Sequence, residues 1–241
     1  MTNFVLVHGG FVGGWYWRET ASLLEKDGHR VHVVDQMPSG GRDPARLGDL
    51  RADAETVGQV VAAVGEPVVL VGHSYGGMVI TELADDPAVA HVVYLSAFWP
   101  QRGRSLSDLL GDGPLPSWIV PRDNGTVTVT DDLAVVREAL CADLDPDRAA
   151  EEPRRLIPQS VSSMATPSSA PDRTHPTTYI ICERDRAIPV AAQEQMAAAA
   201  DRVERLPASH QPMASMPDKL AEITRSRDVA RVPASMLSKI S

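Results

Sequence analysis

The apolar run at residues 68–71 passes straight into Gly72-His73-Ser74-Tyr75-Gly76, and a second apolar segment, residues 78–84, follows at once. A buried strand, a five-residue turn and a helix leave little freedom in what can be built around them. The turn has to be sharp, so the positions two before and two after the serine must be small, and Gly72 and Gly76 supply this. Such a turn lifts the Ser74 hydroxyl clear of the sheet edge and aims a helix N-terminus at charge developing beside it. A glycine-rich turn carrying an incidental serine has the same five letters. The correct element on each side argues against that alternative.

The rest of the chain repeats the rhythm. Residues 4–7, 31–34 and 92–95 are further short apolar runs, apolar on both faces as strands of a parallel sheet are. Between the second and third strands, Leu47, Leu50, Val57, Val60, Val61 and Val64 follow one face of a helix, which Gly65 closes before Pro67 opens the next strand. Residues 17–26 read as another helix. This alternation predicts an α/β fold with a mostly parallel, doubly wound sheet, and it places chemistry just beyond the carboxyl ends of the strands.

After Pro100 the rhythm breaks. Residues 101–172 are rich in Gly, Pro, Ser and Asp, with helix-like stretches at 132–141 and about 146–156. A structureless loop of that length does not suit a compact domain, so an inserted lid of short helices is expected, with residues 160–171 as an irregular return. The sheet rhythm resumes at residues 178–182, with a helix around 191–200, a short strand near 203–206 and a helix from Asp218. The expected division is a core of residues 1–100 and 173–241 around a lid of 101–172. The tail, 227–241, offers only Val232, Met236, Leu237 and Ile240, as a docked helix or a loosely held end.

A serine hydroxyl is a weak nucleophile until a base takes its proton. The order nucleophile, acid, base suits this topology. Of the seven histidines, His210 alone sits after the last strand and before the last helix, and its plain alternative is a solvated loop histidine. His8 and His73 lie within the motifs and read as structural. The acid should follow a strand's carboxyl end, where residues 180–189 offer Glu183 and Asp185. Asp185 is preferred because it sits deeper in the turn before Ile188-Pro189, where it would also cap the next helix; Glu183 reads as a solvated rim. The first strand ends in His8-Gly9-Gly10-Phe11, whose glycines let the backbone approach a substrate. The amides of Gly10 and Tyr75 are therefore the expected oxyanion donors. Phe98, Trp99, Leu115, Trp118, Ile119 and Met164 suggest an apolar wall, with Phe11, Phe98, Trp99 and Trp118 as substrate contacts. Simple packing of the lid on the core would explain the same residues.

Composition narrows the partners. Hydrophobic residues make up 43% and charged residues 23%, as in a globular chain, and the net charge of −9 disfavours nucleic acid or an anionic membrane. Cys141 and Cys182 are far apart and outside any metal-ligand spacing, so reduced thiols in a cytoplasmic protein are expected. There is no signal-peptide pattern and no apolar run long enough to span a bilayer. No metal or organic cofactor is expected, and the partner is a small-molecule ester. A homodimer is compatible with the sequence, which does not set the oligomeric state.

Together these motifs resemble the methylesterase and hydroxynitrile-lyase branch of the α/β-hydrolase superfamily. The matching stretches are Phe4-Val-Leu-Val-His-Gly-Gly10, Trp15-Tyr-Trp17, Gly28-His-Arg-Val31, Gly72-His-Ser-Tyr-Gly-Gly77, Val93-Tyr-Leu-Ser-Ala-Phe98, Ile181-Cys-Glu-Arg-Asp-Arg-Ala-Ile-Pro189 and Ser209-His210. They span most of the chain outside the lid and the tail. The resemblance implies an α/β-hydrolase fold and a serine hydrolase using Ser74, Asp185 and His210 on a small hydrophobic or aromatic carboxylic ester. Lyases of this branch look as if they need a threonine just after the first-strand histidine and a lysine just after the catalytic histidine. Gly9 and Gln211 stand there instead, which favours hydrolysis over cyanohydrin cleavage. Thioester and lactone substrates, a carbon–carbon lyase, and a non-catalytic binding protein that has kept the fold are the alternatives.

Overall fold

Runs that are apolar on both faces need cover on both sides, and the chain provides it by alternating them with helices. In the computed structural model, which describes residues 1–226 and 229, the first half runs β1 (Asn3–Val7), α1 (Arg18–Lys26), β2 (Arg30–Val33), α2 (Leu50–Val64), β3 (Val68–His73), α3 (Gly76–Thr81) and β4 (Val89–Leu95). The chain then leaves the sheet through α4 (Leu106–Leu110), β5 (Ile119–Pro121), β6 (Thr126–Val129), α5 (Leu133–Leu140), α6 (Pro146–Glu151), β7 (Gln159–Ser160) and α7 (Val161–Ala165). It returns with β8 (Thr177–Cys182), α8 (Val190–Ala197), β9 (Arg202–Leu206), α9 (Pro212–Ser215) and α10 (Pro217–Thr224). The tail residues singled out in the sequence, Val232, Met236, Leu237 and Ile240, lie outside the described residues.

Six strands form one sheet in the order β2-β1-β3-β4-β8-β9, and every pairing in it is parallel. Alternate side chains divide between two cores. Val5, Val7 and Leu70 pack with Val57 and Val61 of α2 and Met78 of α3. Phe4, Leu6, Val69 and Val71 pack with Leu24 of α1 and Leu220 of α10 on the other face. The α2 helix starts where the Asp49 carboxylate accepts the amides of Arg51 and Ala52, and it stops at Gly65, whose φ of +68° suits a residue without a Cβ.

The inserted segment departs from the expected set of short helices. Strands β5, β6 and β7 form a small antiparallel sheet of their own. Its signal is Asn124-Gly125, a turn with Gly125 at φ +78°, followed by the β-branched run Thr126–Val129. The segment's overall Gly, Pro and Ser content hid it. Residues 160–165, expected as irregular chain, end a strand and start α7, with the Ser160 hydroxyl capping the Ser162 amide. The expected helix at 146–156 breaks after Glu151 into a tighter turn, Glu152–Arg155, where Pro153 has no amide hydrogen to continue it. Among the described residues no helix is long and apolar enough to cross a membrane, and Cys141 and Cys182 are buried free thiols.

One buried charge sits under the sheet's carboxyl end. Asp53 of α2 is fully buried and accepts hydrogen bonds from the Ser39 amide at 2.8 Å and the Tyr75 hydroxyl at 2.7 Å. Burial outweighs both and pushes its pKa from 3.8 up to about 6. The folded state therefore holds this proton more tightly than the unfolded chain. The resulting stability is complete below 3.8 and is lost as pH rises through about 6. Asp53→Asn is expected to abolish that loss, so its thermal midpoint should rise relative to wild type between pH 4 and pH 7 in denaturation scans.

Candidate active site

Strand order reverses between β1 and β3, so the loops leaving their carboxyl ends lie side by side. Ser74 occupies the turn out of β3 in a left-handed conformation, φ +53°. The start of α3 then passes so close to β1 that a Cβ on Gly76 would lie 2.6 Å from the carbonyl oxygen of His8. Only glycine fits there.

The Ser74 hydroxyl lies 2.9 Å from Nε2 of His210, and His210 Nδ1 lies 2.7 Å from Oδ2 of Asp185. A carboxylate only accepts, so Nδ1 carries the proton and Nε2 is left to take one from Ser74. Asp185 is held by more than the imidazole. Its Oδ1 accepts the amides of Ala187 and Ile188 at 2.8 and 3.0 Å, and its Oδ2 accepts Gln193 Nε2 at 3.2 Å and the Ser96 hydroxyl. Burial pushes this carboxyl up, but His210 and these hydrogen bonds outweigh it and leave the pKa below its ordinary value. One side chain thus caps the turn at Ala187 and Ile188 and bonds the His210 imidazole. Glu183 is exposed, 3.8 Å from Arg205.

His73 backs the base: its Nε2–H donates to the backbone carbonyl of His210 at 2.8 Å. His8 donates from Nδ1 to the Gly9 carbonyl at 2.8 Å and accepts the Met37 amide on Nε2 at 3.2 Å. Burial lowers their pKa values to about 3 and about 4, so both are neutral struts near the serine.

Gly10 and Tyr75 both line the cavity with Ser74. Among the described residues neither amide donates to another protein group, whereas the neighbouring Phe11 amide is taken by Gln159 Oε1 at 3.3 Å. Three non-glycine residues have positive φ among the described residues, namely Phe11 at +65°, Ser74 at +53° and Ser96 at +38°. All three are at this site, where strain of this kind concentrates when surrounding structure holds it.

A cavity opens at Ser74, between the sheet's carboxyl edge and the inserted segment. Phe11, Phe98, Trp118, Ile119 and Met164 line it, with Phe11 and Trp118 edge to face at 5.7 Å. Trp99 does not. Its ring stacks on Tyr94 at 4.2 Å, with the Arg173 guanidinium over it, so it belongs to the outer packing of β4. Leu115 also lies outside and is 38% exposed. Leu106, Leu110, Leu140 and Ile188 add to the wall, and among the described residues no Asp, Glu, Lys or Arg lines it. Among the described residues no group of three His, Cys, Asp or Glu side chains is placed to hold a metal ion.

Sequence reasoning missed Ser96, Gln193 and Gln159. Ser96 had a signal, a polar residue ending an otherwise apolar strand. Gln159 had none, because its partners Phe11 and Ser39 are distant in sequence, and nothing in the sequence of α8 sets Gln193 apart, although its partners Cys182, Asp185 and Ile188 are close along the chain.

The family model described as the alpha/beta hydrolase family matches residues 4–223. A carbendazim-hydrolyzing esterase of Nocardioides sp. (strain SG-4G) is 47% identical over 117 residues, 46% of this chain and 48% of that protein. Methylesterase 1 of Arabidopsis thaliana is 27% identical over 91% of this chain and 93% of its own. The crystal structure of a pyrethroid hydrolase from Sphingobium faniae JZ-2 superposes with a TM-score of 0.84 and 29% identity, covering 97% of this chain and 99% of that one.

A fluorophosphonate is expected to label wild type at Ser74, located by peptide mass spectrometry. Asp185→Asn should slow that labelling by on the order of 10⁴-fold while the circular dichroism spectrum stays unchanged.

Proposed function

The chain belongs to the α/β hydrolase family, and from that premise we propose that it is a serine esterase acting on small, neutral, hydrophobic or aromatic carboxylic esters through an acyl-enzyme. The observation that carries this reading is the Ser74 hydroxyl at 2.9 Å from His210 Nε2, opening onto a cavity without a charged wall residue of the Asp, Glu, Lys or Arg type.

Ser74 Oγ attacks the ester carbonyl carbon as its proton passes to His210 Nε2. The ionised Asp185 stabilises the imidazolium so formed. The carbonyl oxygen becomes an oxyanion, received by the Gly10 and Tyr75 amides. Collapse expels the alcohol, which takes the proton from His210, and leaves the acyl group on Ser74. Water then attacks that ester with His210 as base, releasing the carboxylic acid and restoring the serine. The acid ionises in a cavity with no lysine or arginine to retain it, which favours release.

The relatives' names fit this chemistry: an esterase, a methylesterase and a pyrethroid hydrolase all act by hydrolysis. The lyase alternative is disfavoured by two residues. A Cβ on Gly9 would lie 3.0 Å from Ser74 Cβ and from His73 Nδ1, so threonine would crowd both. Gln211, buried and bonded through Oε1 to the Tyr16 hydroxyl at 2.8 Å, has no positive charge for a cyanide leaving group.

Wild type and Ser74→Ala are to be assayed on a panel of esters, thioesters and lactones, with mandelonitrile as the lyase control. Turnover of p-nitrophenyl butyrate should vanish in the variant. The mono-p-nitrophenyl ester of succinate, which carries a carboxylate into the apolar wall, should show kcat/KM at least about tenfold lower than the butyrate. Full activity of Ser74→Ala would reject the nucleophile; cyanide release from mandelonitrile in preference to ester turnover would reject hydrolysis.

A further inference from the structure

The inserted segment grips the loop after β1 by its backbone. The Ile157 amide donates to the Phe11 carbonyl at 2.8 Å, and the Phe11 amide donates to Gln159 Oε1 at 3.3 Å. Phe11 is thus held on both sides in a left-handed conformation that residues with a Cβ seldom occupy unless held. Its neighbour Gly10 is backed by the same group, since a Cβ on Gly10 would lie 3.5 Å from Gln159 Oε1.

Gln159 has only one way to point. The Ser163 hydroxyl donates to the Ser160 carbonyl at 2.8 Å, so toward Gln159 it presents a lone pair and calls for an N–H. Gln159 Nε2 meets that need at 2.8 Å and reaches Ser39 Oγ at 3.0 Å with its other hydrogen. The carbonyl is then fixed on Phe11. The Ser39 amide in turn bonds Asp53, which holds the Tyr75 hydroxyl. One buried network therefore reaches both loops that bear the unpartnered amides. A glutamine only 4% exposed is costly to bury unless its bonds are made.

We propose that Gln159 is a positioning residue, holding Phe11 in the turn that leaves the Gly10 amide free to face the oxyanion on the substrate bound at Ser74. The proposal rests on the esterase reading above. Gln159→Met keeps the length and loses the carbonyl, while Gln159→Asn keeps an amide one methylene short and serves if the first variant does not fold. The measurements are kcat and KM on p-nitrophenyl butyrate, and Ki for an aryl trifluoromethyl ketone, whose hemiketal with Ser74 carries the oxyanion.

Both variants should lose about 10- to 100-fold in kcat with KM within about threefold, less than deletion of a donor outright. Ki should rise by the factor by which kcat/KM falls. Val136→Ala, in the buried cluster of α5 and away from Gln159 and the cavity lining, should lower the thermal midpoint comparably, yet keep kcat within about threefold. Unchanged kcat and Ki in both Gln159 variants would overturn the proposal, as would an equal kcat loss in Val136→Ala. Failure of wild type to be labelled at Ser74 would instead remove the esterase reading itself.

Discussion

The close approach of two backbones, α3 beneath the end of β1, sets the dimensions of everything above it. With Gly76 against the His8 carbonyl, the loop carrying Gly10 and the turn carrying Ser74 sit at a separation that neither can relax. The base is referred to the same point, because His73, the residue before the nucleophile, donates to the His210 backbone. Ser74, His210 and the loop carrying Gly10 are thus all located from the end of β3. Their relative positions do not depend on the length of the long connections between them.

Two buried aspartates show how partners decide ionisation once burial is equal. Asp185 accepts from the amides of Ala187 and Ile188, from Gln193, from Ser96 and from an imidazole, and it stays ionised. Asp53 has one amide and one phenol and no cation, and its pKa is pushed up to about 6. The first is suited to oppose a charge that forms during a reaction. The second keeps its proton only up to about pH 6 and has no such charge to oppose. The neutrality of His8 and His73 completes the pattern by keeping other positive charge away from Ser74.

What could be read in the sequence was what depends on neighbours along the chain. The strands were legible because both faces are buried, and the turn at Ser74 because its glycines are required two residues either side. Asp185 and His210 could be ranked because a strand end and a last loop are positions in an order. The small sheet of the insertion was legible in Asn124-Gly125 and the β-branched run after it, but overall composition outweighed that local signal. Trp99 was misplaced because an aromatic near a strand end fits a cavity wall and a stack on Tyr94 equally well. Gln159 was invisible, since Phe11 and Ser39 reach it only when distant segments meet.

Strands β4 and β8 are hydrogen-bonded neighbours, and the whole insertion leaves from one and rejoins at the other. Loops that depart and return at adjacent strands can change length at little cost to the sheet. Related chains could therefore exchange caps as modules and so change which molecules enter. The hydrogen bonds from residues 157–160 to Phe11 and to the Ser39 loop restrict where such a graft can be cut. A donor cap joined so as to replace that short strand would bring new walls and lose the backbone's hold on the catalytic loop. By its contacts, residues 157–160 belong with the loops of the core, and the exchangeable module ends before them.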